Sequence, residues 1–225
     1  MRAEPPTVVA VAVVAAVALV GLDHGTGGHG AGTFLVAWVL MSVATMLPTT
    51  LPLLAAFRRV TAGRRFRVVL VLAVVAGFLA VWTVAGVIAA AVDHGAHRLV
   101  AGAVPAALVG GLTLMLAGAY QWSELAARCL CACRTPAGFL RQHWTGSPGV
   151  LRRSARIGTA YGWSCLGCCA PLMTVMLVVG MGNLAWMGGL ALVGAVQKAG
   201  RWGRPLARAT GATLFAAGVV LVVAR

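Results

Sequence analysis

The sequence predicts an all-α, polytopic transmembrane helix bundle of about seven spans, and three observations predict it. Hydrophobic residues make up 60% of the chain. Charged residues make up only 10%, where a soluble domain carries about 25%. The mean hydropathy is +0.93, and the apolar residues gather in runs of about 20, the length that crosses a bilayer as a helix.

The elements follow in chain order. The first run, residues 7–22, follows Arg2 like a signal-peptide core, but no good small-x-small cleavage site comes after it. It is therefore read as a retained first span. The second, 33–57, carries Pro48 and Pro52, which predict a kink or an early end. The third and fourth cover 68–92 and 99–119. The loop 120–156 contains "SELAARCLCAC", which has helical character and ends near Pro136. Trp122 and Trp144 bracket it and suit a headgroup layer, so short interfacial helices on the cytoplasmic side are expected rather than a second domain. The fifth span is 157–180. The sixth, 184–199, is short, and Lys198 and Arg201 would snorkel to the surface. The seventh is 206–224. The whole chain, 1–225, thus reads as a single transmembrane domain.

Charge supports this order. With a cytoplasmic N-terminus and an external C-terminus, only Arg98 and Arg225 of the 18 Lys and Arg residues fall outside. Such a bias follows the positive-inside rule and places the chain as a multi-pass protein of a bacterial-type cytoplasmic (inner) membrane. The net charge of +14 then has anionic inner-leaflet lipid as its partner and no nucleic acid. Four acids in the chain leave little for carboxylate-pair catalysis or a hard-metal cage. Phosphate-loop, dinucleotide, serine-elbow and zinc-protease motifs are missing. Intramembrane carboxylates, the mark of a proton-coupled porter, are missing too. No catalytic activity of the chain's own is expected.

Soft donors are plentiful instead. In "GWSCLGCCAPLM", Cys165, Cys168, Cys169 and Met173 share one helix face. Counted from residue 157 at 1.5 Å per residue, Cys165 lies about 12 Å along the fifth span and Cys169 about 18 Å. Thiolate and thioether suit Cu(I) better than harder cations. The alternative is packing, since cysteine is also a small hydrophobe that lets helices approach. Cys129 and Cys133 stand at i, i+4 in the inner loop, with Cys131 pointing elsewhere, beside a reducing compartment where thiols persist. They read as an inner relay, or as palmitoylated or inert thiols. Met41 and Met46, five apart in the second span, fit core packing better than a ligand face. Outside, Asp23, His24 and His29 in "VGLDHGTGGHGAG" echo Asp93, His94 and His97 in "AAVDHGAHRLVAG". Imidazole and carboxylate at an oxidising face suit Cu(II) or zinc, or simply end helices in solvent.

The stretches around these cysteines resemble an uncharacterised bacterial family of predicted metal-binding integral membrane proteins. Ala117, Gly118, Tyr120 and Gln121 match its Ala-Gly-x-Tyr-Gln; Cys129, Cys133, Arg134 and Pro136 its Cys-x3-Cys-Arg-x-Pro. Cys165, Gly167, Cys168 and Cys169 match Cys-x-Gly-Cys-Cys, and Asn183, Trp186 and Met187 match Asn-x-x-Trp-Met. Trp38, Met41, Ala44, Met46 and Pro48 resemble an earlier motif, with Thr45 in place of its second Met. Ala170 and Gln197 also depart from the pattern. The resemblance implies a bound metal, carried more by the cysteines than the methionines.

Together these features predict a membrane protein that binds a soft metal, copper, for relay, delivery or storage. The rival reading is an accessory subunit, with membrane-protein partners, of a larger metalloenzyme complex such as a copper monooxygenase or oxidase. A thiol-redox enzyme is a third, but its Cys-x-x-Cys would need exposure and a lowered thiol pKa.

Overall fold

In a computed structural model of the protein, residues 31–101, 105–144, 149–179 and 184–224 are described, and the regular elements among them are all helical. Helix α1, Ala31–Met46, meets Pro48. Pro48 has no N–H to donate and its ring crowds the preceding turn. A 3-10 turn, Pro48–Thr50, takes over, and α2, Leu51–Val60, leaves at 42° to α1. The kink expected from Pro48 is therefore present. Then come α3 (Arg67–Ala101), α4 (Ala106–Tyr120), α5 (Glu124–Arg134) and α6 (Pro136–His143). Ser123 Oγ accepts the Ala126 N–H at 3.1 Å and starts α5. Pro136 opens α6 at a position where a missing N–H costs nothing. The chain ends in α7 (Val150–Val179), α8 (Leu184–Ala199) and α9 (Gly203–Val223). Short helices thus occupy 124–143, whereas residues 150–156 already belong to α7.

The span count departs from the sequence expectation. Among the described residues, two helices are long and apolar enough to cross a membrane, at Arg67–Gly95 and Gly203–Val223. The bent α1–α2 pair makes three if it is one span, and about seven are not found. The first predicted span, 7–22, lies outside the described residues. Helix α4 has 15 residues and α8 has 16, so each rises only about 24 Å or less against a hydrocarbon core of about 30 Å. Helix α7 has the length, 30 residues. Its first turns carry Arg152, Arg153 and Arg156, and Gly, Ser, Thr and Cys dilute the rest. The inside–outside alternation built on seven crossings loses its footing with the count. Lys198 also differs from expectation, being buried rather than extended to the surface.

The chain clusters into two compact units. One comprises the described part of Met1–Gly86 with Cys131–Leu166; the other comprises Val87–Leu130 with the described part of Gly167–Arg225. The divisions fall within α3, α5 and α7.

In the first unit, α3 and α7 approach until backbone meets backbone. A side chain at Gly158 would land on the Val74 carbonyl, and one at Gly77 on the Ala155 carbonyl. Only hydrogen in place of Cβ permits this. Around the contact lie Trp38, Phe78, Trp82, Phe139 and Tyr161, all buried. Trp38 Nε1 donates to the Trp82 carbonyl at 3.0 Å, fixing α1 to α3. Met41 and Met46 are buried in this unit, consistent with their expected packing role.

In the second unit the same device joins α4 to α9. Gly111 opposes Gly218, and Gly118 opposes Gly211, so the two helices run antiparallel with paired notches seven residues apart. Trp122 closes the end of the contact against Phe215, centroids 5.9 Å apart.

Candidate metal centre

Helix α7 carries the thiols. Cys165, Cys168, Cys169, Met173 and Met176 are all buried. Trp163 is exposed on another face. The helical spacing therefore gathers sulfur onto one buried face, as the sequence indicates. Cys168 and Cys169 belong to the second unit, with Met173 one turn beyond; Cys165 precedes the division and belongs to the first. Adjacent residues on a helix diverge by about 100°, yet the Cys168 and Cys169 sulfurs stand 3.8 Å apart. Two thiolates sharing one ion through bonds of about 2.3 Å, at angles of about 110–120°, stand about 3.8–4.0 Å apart. The pair thus suits two of the three positions around a trigonal soft ion without rearrangement. Among the described residues no group of three or more His, Cys, Asp and Glu side chains is arranged to hold a metal. The candidate centre is a thiol pair.

Pro171 shapes this part of α7. It lies inside the helix, which continues through it. With no N–H of its own, it cannot donate to the carbonyl four residues back, that of Gly167. Gly167 in turn admits α5. A Cβ built there would stand 2.5 Å from the Cys129 sulfur and 3.2 Å from its Cβ. Cys129 therefore packs on the α7 backbone immediately before Cys168, with the Tyr120 hydroxyl alongside. Burial pushes the Cys129 thiol above its ordinary pKa.

Cys133, paired with Cys129 by sequence spacing, goes elsewhere. It lies in the first unit, where its carbonyl accepts the Tyr161 hydroxyl at 3.3 Å. Cys131 is exposed. Cys129 joins the α7 thiols within the second unit, and Cys133 packs within the first.

Two predictions arise here. Iodoacetamide at about pH 8 should alkylate Cys131 roughly tenfold faster than Cys129, because Cys131 is exposed while Cys129 is part-buried and burial holds its thiol above its ordinary pKa; peptide mass spectrometry reads the order. Gly167→Ala should push Cys129 off α7 and cost about 1–3 kcal/mol, measured as a fall in Tm in detergent.

Of the outer groups, Asp23, His24 and His29 lie outside the described residues. Asp93 is half-buried and His94 exposed near the end of α3. The His97 backbone is helical, and its side chain lies outside the described part. Among the described residues no zinc site emerges.

Beside the thiols is a cavity of about 160 Å³ that lies wholly in the second unit. Cys168, Gln121, Gln197, Arg204 and Arg208 line it, with small apolar walls. Gln197 is buried and donates through Nε2 to the Thr210 hydroxyl at 3.1 Å. Sequence reading missed the grouping. Arg204 and Arg208 counted only toward the charge bias, and Gln121 only toward a motif; the i, i+4 spacing of the arginines was the one available signal.

Fold and site together define a helical protein whose distinctive chemistry is a buried pair of soft sulfur donors. A family model described as PpoB2, copper chaperone, matches residues 35–221, and the chain belongs to that family. No curated protein and no solved structure matches it. The expectation of a metal-binding family thus holds in its coarser form, as a copper family, and that description does not extend to zinc.

Proposed function

We propose that this chain binds Cu(I) between the Cys168 and Cys169 thiolates and holds it for relay, delivery or storage within the membrane. The observation that carries the reading is the buried sulfur pair at 3.8 Å. Cys129 and Met173 are the next soft donors, from α5 and from one turn further along α7. Thiolates favour Cu(I) over hard cations, and their burial keeps water and oxidants away from the ion. The copper-chaperone description of the family supports the same metal. Copper is cargo here: it arrives by thiol exchange and leaves the same way, with no change of oxidation state.

We place the protein in a bacterial-type cytoplasmic membrane, supported by the apolar helices at Arg67–Gly95 and Gly203–Val223. Anionic lipid headgroups are proposed as partners of the exposed arginines at the helix ends, such as Arg58, Arg59 and Arg65. Metal analysis of protein purified under reducing conditions tests the reading. About one equivalent of copper is expected, and binding should weaken as pH falls because protons compete for the thiolates. Copper below about one-tenth of an equivalent in the presence of added Cu(I) contradicts it.

A further inference from the structure

The cavity beside Cys168 has a chemistry that holding copper alone does not require. Arg204 and Arg208 stand on successive turns at the start of α9, exposed and with no acidic partner among the described residues. Helix α9 begins at Gly203 with no side-chain cap, and the positive end of its dipole adds to the potential there. Gln121 lines the same cavity. The residue is 6% exposed, and its amide Nε2 is buried with no hydrogen-bond partner among the described residues. Two guanidiniums on one cavity wall call for an anion. Cys168, on the same wall, calls for a soft metal.

One class of ligand meets both demands. We propose that the cavity is an entry port for Cu(I) carried by a small thiol that bears a carboxylate, and this rests on the copper reading of Cys168 and Cys169. The carboxylate docks on Arg204 and Arg208. Arginine pairs with carboxylate through two parallel N–H donors, which orients the carrier as well as holding it. The Cys168 sulfur then bonds to Cu(I) as a carrier sulfur–copper bond breaks. The Cys168 proton passes to the departing carrier thiolate, and copper remains Cu(I) throughout. The volume of about 160 Å³ admits a small molecule of this kind; drug-sized ligands occupy about 300 Å³ or more.

The test compares two carriers that differ only in the charged group. Full-length protein in zwitterionic-lipid nanodiscs receives Cu(I) from N-acetylcysteine or from N-acetylcysteine amide, and transfer is followed by stopped flow. The carboxylate carrier should deliver about tenfold faster, as electrostatic steering into a charged cleft allows. Arg204→Gln/Arg208→Gln should lower its rate to that of the amide and leave the amide's rate unchanged. Arg204→Lys/Arg208→Lys should keep most of the preference. Both arginines are exposed, so these variants test the port without disturbing the core. Equal rates from the two carriers in the wild type overturn this proposal alone. So does a preference present in zwitterionic lipid that vanishes in phosphatidylglycerol nanodiscs, since lipid headgroups then own the arginines. A wild type that takes Cu(I) from neither carrier overturns the copper reading and the port together.

Discussion

Cys168→Ser/Cys169→Ser is expected to reduce bound copper from about one equivalent to under about one-tenth, with the helical fold intact by circular dichroism. The expectation follows from geometry. The two sulfurs are the ones already at a separation that one ion can span, and no larger cluster of ligating side chains exists among the described residues to replace them. Serine nearly matches cysteine in shape but is a poor ligand for Cu(I), so the change removes the donor without opening a large cavity. Single variants should retain weaker binding through Cys129 or Met173. Cys131→Ser, on the exposed face of α5, should change nothing in copper content.

Gly118→Val is expected to have the largest effect on stability. A Cβ there would stand 2.5 Å from the Gly211 carbonyl oxygen and 2.7 Å from the Phe215 nitrogen. These are backbone atoms, which cannot turn aside as a side-chain end can. The antiparallel α4–α9 contact would have to open along its length, because Gly111 and Gly218 form the second notch of the same seam. The cost should reach about 3 kcal/mol or more. Thermal unfolding in detergent measures it. Gly188→Val, where a side chain meets open space, serves as the control, with only a helix-propensity change of a few tenths of a kcal/mol expected.

Much of the helical framework was legible in the sequence. Composition pointed to an all-helical fold, and Pro48 marked the bend where α1 gives way to α2. The 3.6-residue period placed Cys165, Cys168, Cys169 and Met173 on one face, and their burial follows from it. Membrane-span counting failed for a physical reason. A hydropathy reading credits every apolar run alike, whereas α4 and α8 are too short and α7 is diluted by Arg, Gly, Ser and Cys. The surroundings of the inner cysteines were hidden for another reason. Helical spacing tells which residues share a face, not which neighbour that face meets. Cys129 and Cys133 share a spacing, but the notch at Gly167 receives only Cys129. The cavity was invisible because Gln121, Cys168 and Arg204 are far apart in the chain and come together only through the packing of α4, α7 and α9 within one unit.

Copper K-edge absorption spectroscopy of the Cu(I)-loaded wild type tests the central claim most directly. A first shell of two or three sulfurs at about 2.2–2.3 Å, close to other metal–thiolate bonds, is predicted, with the sulfur signal collapsing in Cys168→Ser/Cys169→Ser. A shell of nitrogen or oxygen donors, or a sulfur shell unchanged in that variant, would place the copper elsewhere and contradict the account.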